Sequence, residues 1–155
     1  MPHLVILYTR NLDAPVGQGG SDMSRLCRTL ADTMIAARDE DDKPVFPVGG
    51  VRVLAYPSAH HAVADGGAAG RAAGGDGNYA FVYLLLRMAR GRSPAVQQAV
   101  GKALEADVKA HFAPLLASRH IGLTLNIDVG EEVFDAKNSS LHPLFAPAAV
   151  LPNLN

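Results

Sequence analysis

Val96, Val100, Leu104, Val108 and Phe112 recur every four residues between two apolar runs, and this arrangement narrows the folds open to the chain more than any other. Such a recurrence gathers the five side chains on one face of a helix. The run before it, 78–88, is rich in aromatic and branched residues, among them Tyr79, Phe81, Val82 and Tyr83. The run after it, 120–129, alternates Ile121, Leu123, Leu125, Ile127 and Val129. Both read as strands. Ser93 suits a helix N-cap and Pro94 the first helical position, while Pro114 is expected to kink the helix or end it early. A strand that returns parallel to its predecessor after a helix needs a right-handed crossover.

The first half repeats the order. Residues 3–9 form a strand whose continuous apolar stretch, Leu4 to Leu7, suits cover on both faces. Asn11, Pro15, Gly17, Gly19 and Gly20 mark 10–20 as a loop. Ser21 then reads as an N-cap, with Asp22 in the first turn. Met23, Leu26, Cys27, Leu30 and Met34 make one apolar helix face, ending near Arg38. The charge cluster 39–43 is solvated, and Pro44 and Pro47 forbid continuation. A second strand covers 50–56. Between the halves, 58–77 lacks periodicity, and its Ala- and Gly-rich part from 64 onward reads as a flexible surface insertion. The tail from 131 to 155 has no regular pattern.

The fold class is therefore α+β: duplicated β-α-β units, 1–57 and 78–130, forming one four-stranded sheet with two helices on one face, in a single domain over 1–155. The other sheet face then lacks cover although its residues are apolar, which implies a further subunit against it.

The 155 residues carry a formal charge of −1, so no global field attracts nucleic acid. Anion binding rests on a few placed arginines. Cys27 is the only cysteine; on an apolar stripe it reads as core, and it suits a reducing, cytoplasmic compartment. Met1-Pro2-His3 offers no cationic start for a secretory signal, and no run is long enough to cross a membrane. His60-His61 lacks a third ligand at metal spacing, so no metal is expected.

The start Met1-Pro2-His3 with an immediate strand, and Gly91-Arg92-Ser93 before a helix carrying Gln97-Gln98, resemble the tautomerase superfamily. Further matching pieces are Pro47 to Arg52, Ala64-Asp65-Gly66, Tyr79 to Val82, His111-Phe112-Ala113, Ser118-Arg119 and Asn138 to Phe145. Together, in this order, they most resemble the 5-carboxymethyl-2-hydroxymuconate delta-isomerase family. Loop 10–20, the stretch 67–77 and the extension 146–155 depart from that pattern.

The resemblance implies a tautomerase or MIF-like fold and a homotrimer with its sheets facing inward. It also implies a cofactor-independent isomerase acting on a small anionic organic acid, an unsaturated 2-hydroxy or 2-oxo di- or tricarboxylate such as 5-carboxymethyl-2-hydroxymuconate. Pro2 would be the acid/base group, as a secondary amine once Met1 is removed; an unperturbed α-amino group titrates at about 7.7–8.0, and burial or nearby arginine lowers that value. Arg52 and Arg92 would bind carboxylate or stabilise the enolate oxygen. Read as residues alone, Pro2 equally suits a strand start, and both arginines suit solvated strand ends. Two other readings stay open: a dehalogenase or decarboxylase on the same scaffold, with Asp13, Asp22 or Glu131 activating water, and a non-catalytic binding or assembly protein.

Overall fold

The computed structural model describes residues 2–131, 133–136 and 138–145. Met1, whose removal the proline chemistry requires, and the extension 146–155 lie outside the described residues.

Strands β1 (His3–Thr9), β2 (Arg52–Ser58), β3 (Ala80–Ala89) and β4 (Ile121–Gly130) form one sheet in the order β2-β1-β3-β4. β1 runs parallel to β2, β3 runs parallel to β4, and the two central strands are antiparallel. Helix α1 (Met23–Ala36) crosses from β1 to β2, and α3 (Pro94–Leu116) crosses from β3 to β4. These are the two β-α-β units, each closed by one helix. α1 packs on β2, α3 on β4, and the helices on each other.

Alternation along the strands decides what is buried. Leu4, Ile6 and Tyr8 of β1 and Val82, Leu84, Leu86 and Met88 of β3 face the helices and are buried. Against them lie Leu26, Leu30 and Met34 of α1 and the four-residue stripe of α3, which is buried from Val96 to Phe112. The intervening residues form an open face. There Leu7, Leu54, Tyr56 and Phe81 expose 48%, 43%, 49% and 36% of their surface, an apolar patch on three paired strands, β2, β1 and β3.

Helix starts and stops follow local chemistry. Ser93 caps α3, its Oγ accepting from Val96 N–H at 3.2 Å, and Pro94 occupies the first turn. At α1 the cap is Asp22, whose carboxylate accepts from Arg25 N–H at 2.9 Å, and not Ser21. Ser21 Oγ instead pairs with His111 Nε2 at 2.8 Å and ties the 10–20 loop to α3. α1 stops at Ala36, two residues before the expected end, because Ala37 turns extended and its carbonyl accepts from Val45 N–H. α3 passes through Pro114 and ends at Leu116: a proline in the last turn costs only the bond to one carbonyl four residues back.

The segment 64–77, read from sequence as a flexible surface insertion, carries local regular structure. This segment contains α2 (Ala68–Ala72). The Asp65 carboxylate accepts from the N–H groups of Gly67, Ala68 and Ala69 at 3.0, 3.1 and 2.8 Å, and Tyr79 Oη accepts from Gly70 N–H at 2.8 Å. Alanine favours helix once its first N–H groups are satisfied. β2, β3 and β4 begin one or two residues later than the sequence patterns suggest, and Val48–Gly50 is a 3-10 turn leading into β2. A further 3-10 turn, His142–Phe145, lies in the tail. Among the described residues no helix is long and apolar enough to cross a membrane.

Candidate active site

Pro2 stands just before β1 and is buried. The parallel register sets His3 opposite Arg52, so β1 and β2 begin side by side. The chain enters β2 through the Val48–Gly50 turn, and Pro2 lies against that turn. A Cβ built on Gly50 would stand 3.6 Å from Pro2 Cδ and 3.1 Å from Pro47 Cγ. Arg52 Nη1 donates to the carbonyls of Gly49 at 2.9 Å and Val51 at 2.7 Å. Pro2 and Arg52 thus meet on one short turn. Both Nη1 hydrogens of Arg52 are engaged there.

Arg92 sits elsewhere, in the short connection between β3 and α3. Its Nε and Nη2 donate to the Val45 carbonyl at 3.3 and 2.9 Å, and its Nη1 donates to the Ala89 carbonyl at 3.0 Å. The guanidinium carbon lies 5.2 Å from the Phe46 ring centroid, a cation–π contact. Gln97 Nε2 in turn donates to the Arg92 carbonyl at 2.9 Å. Arg92 therefore grips the segment that feeds the Val48–Gly50 turn. It opens on a cavity of about 250 Å³ shared with Glu40, Val45, Arg90 and Ser93, in which neither Pro2 nor Arg52 takes part. Within one chain Pro2 and Arg52 share the Val48–Gly50 turn, and Arg92 reaches that turn only through the Val45 carbonyl of the 45–50 loop.

Other candidate groups have their own partners. Asp13 accepts from Tyr8 Oη at 2.7 Å, Asp22 caps α1, and Glu131 pairs with Arg90 at 3.2 Å. A cavity of about 790 Å³ between α3 and β4 is lined by Gln97, Lys102, Glu105, Lys109 and the 123–127 stretch, and contains none of the three residues singled out from the sequence.

Two features escaped the sequence reading. Arg87 falls in a row with Arg52, His3 and Asp128 across the open face; its alternation with Leu85 and Tyr83 was the available signal. The tail also reaches the site. A Cβ on Gly49 would stand 3.0 Å from Phe145 Cδ2 and 3.2 Å from His142 Cα, and the match at Asn138 to Phe145 was the only hint of it.

This architecture can be set beside known proteins. The family model described as "CHMI: 5-carboxymethyl-2-hydroxymuconate isomerase" matches residues 2–145. The chain belongs to this isomerase family. A crystal structure of a 5-carboxymethyl-2-hydroxymuconate delta-isomerase superposes with a TM-score of 0.88 at 55% identity, covering 95% of this chain and 94% of that one. A 5-carboxymethyl-2-hydroxymuconate isomerase from Deinococcus radiodurans R1 superposes at 0.74 with 32% identity, covering 94% and 95%. The 5-carboxymethyl-2-hydroxymuconate Delta-isomerase of Escherichia coli is 28% identical over 145 residues, 94% of this chain and 99% of the relative. A fused 4-OT, described as an asymmetric trimer, shares the fold at 16% identity and a TM-score of 0.52, covering 92% of this chain and 98% of that one. As a member of the isomerase family, this chain is an enzyme.

Proposed function

We propose that this isomerase acts on 5-carboxymethyl-2-hydroxymuconate or a close unsaturated 2-hydroxy polycarboxylate, with the Pro2 amine as the acid/base group. The observation that carries the reading is the meeting of Pro2 with Arg52 on the Val48–Gly50 turn. Family membership and three relatives bearing that substrate's name support the choice of acid.

Once Met1 is removed, the Pro2 nitrogen is a secondary amine at the start of a paired strand. Burial disfavours its ammonium form, and the Arg52 charge nearby disfavours it further. The neutral amine accepts the proton of the substrate's 2-hydroxyl, the conjugated electrons shift along the chain, and the ammonium returns a proton to a carbon. The 2-hydroxy diene becomes a 2-oxo acid with one double bond moved, and no atom is gained or lost. Arg52, through Nε and Nη2, binds the carboxylate beside the hydroxyl and offsets charge on the developing oxygen. Arg92 holds the loop and offers its remaining Nη1 and Nη2 hydrogens to the acid's other end.

The open sheet face supports a homotrimer, whose formation would bury Leu7, Leu54, Tyr56 and Phe81 and bring Arg52 and Arg87 of each copy near its neighbours. The single, half-buried Cys27 supports a cytoplasmic setting.

Intact-mass measurement together with the Pro2→Ala variant tests the reading. Active protein should lack Met1, and turnover of 5-carboxymethyl-2-hydroxymuconate, followed by its ultraviolet absorbance, should fall at least about 100-fold in the variant. Full activity with Met1 retained, or in Pro2→Ala, would overturn it.

A further inference from the structure

Gly49 and Gly50 are adjacent, and each is hemmed in on a different side. Beside Gly50 stands Pro2, with Cδ 3.6 Å from where a Cβ would lie. Beside Gly49 stands the tail: Phe145 Cδ2 at 3.0 Å, His142 Cα at 3.2 Å and His142 Cδ2 at 3.5 Å from the corresponding position. Neither glycine has a positive φ, so space rather than backbone conformation excludes a side chain. The same two-residue stretch therefore separates the proline ring from the His142–Phe145 turn.

We propose that the His142–Phe145 turn, seated on Gly49, is the specificity-determining wall of the Pro2 site and selects acids by the length of their far arm. The inference rests on the reading of Pro2 as the acid/base group. The turn is stiffened within the tail, where Ser139 Oγ accepts from the N–H groups of Leu141 and His142 at 3.1 and 3.4 Å, and Leu144 N–H donates to the Leu141 carbonyl at 3.1 Å. It rests on the body through the Val48–Gly50 turn. A side chain at 49 cannot be relieved by a rotamer change, because one of the atoms it meets is the His142 Cα. The backbone at His142 would have to give way slightly, and the turn shifts with it. Arg52 grips the Gly49 carbonyl from the other side, so the turn holds together the amine, the guanidinium and the wall. Such a wall offers an imidazole and a phenyl ring, a mixed surface suited to a carboxymethyl arm.

The test compares Gly49→Ala, Phe145→Ala and His142→Ala on two acids, 5-carboxymethyl-2-hydroxymuconate and 2-hydroxymuconate, which lacks the arm. Displacing the wall should lower the ratio of kcat/KM for the longer acid to that for the shorter by about tenfold in Gly49→Ala, through KM rather than kcat. Phe145→Ala and His142→Ala should lower the ratio by smaller factors and keep the chain folded should Gly49→Ala fail to fold. An unchanged ratio in Phe145→Ala and His142→Ala overturns the proposal, as does a loss equal for both acids. Pro2→Ala separates the two readings: full turnover in that variant refutes the amine chemistry, whereas a constant ratio in the tail variants refutes only the wall.

Discussion

The guanidinium of Arg92 lies over the ring of Phe46, 5.2 Å from its centroid, while Nε and Nη2 of the same group hold the carbonyl of Val45. A planar fork can stack and donate at once, and an ammonium cannot reproduce both. Arg92→Lys should therefore loosen the 45–50 loop and lower stability by about 1.5–3 kcal/mol, the range for hydrogen bonds to charged groups. Urea unfolding monitored by circular dichroism measures it; a wild-type midpoint would show that the grip contributes nothing.

Arg52 has a different duty, since two of its N–H groups fix the turn and the proposed mechanism assigns the rest to the substrate carboxylate. Arg52→Gln should raise KM for a dicarboxylate by about tenfold or more, because a neutral amide replaces a charge-assisted pair. The same variant should affect a 2-hydroxy monoacid alike, since it carries the same carboxylate beside its hydroxyl. Steady-state assays on both acids check this, and a loss confined to the dicarboxylate would contradict it.

Leu7 lies at the centre of the open face, flanked by Tyr56 and Tyr83 on the neighbouring strands. Leu7→Glu places a carboxylate in the apolar patch. Sedimentation velocity should show the wild type as a trimer and the variant as a monomer at micromolar concentration. A variant that stays trimeric would place the contact between copies elsewhere.

Tyr8 titrates late. Burial, reinforced by the hydrogen bond to Asp13 and its charge, pushes the phenol up to about 12. The folded protein thus keeps a proton that the unfolded chain releases near the ordinary value of 10.0. The stability linked to this group is fully present below pH 10 and is lost as pH rises through about 12. Alkaline difference absorbance should show one phenol ionising about two units late, and Tyr8→Phe should remove that step. Ionisation of every tyrosine near pH 10 would refute it.

Much of the fold was legible because its cause is periodic. The stripe from Val96 to Phe112 announces α3, and the Ser93-Pro94 pair announces where it begins. Leu4 to Leu7 announces β1 with its ends in place. Less legible were features that depend on one side chain reaching another. Asp65 turns an Ala/Gly stretch into α2 by accepting three N–H groups, and nothing in that stretch's composition betrays it. The α1 cap moved from Ser21 to Asp22 because Ser21 has a long-range partner in His111. For the site, Pro2, Arg52 and Arg92 were identified through family resemblance, since residue type alone suited mundane roles equally well. The tail's approach to Gly49 was hidden because it joins segments about ninety residues apart in sequence.

The two central strands run antiparallel, each leading its own helix crossover, so the start of β3 is the twin of the start of β1 at the opposite end of the sheet. At that twin end the backbone is continuous: Asn78 and Tyr79 precede β3 through ordinary peptide bonds, their carbonyls bound by Arg119 and Asn11. On the proposed proline chemistry, tying two units into one polypeptide leaves one N-terminal amine for two equivalent places in the sheet. At the second place Asn11 and Arg119 fasten the approach to β3 instead.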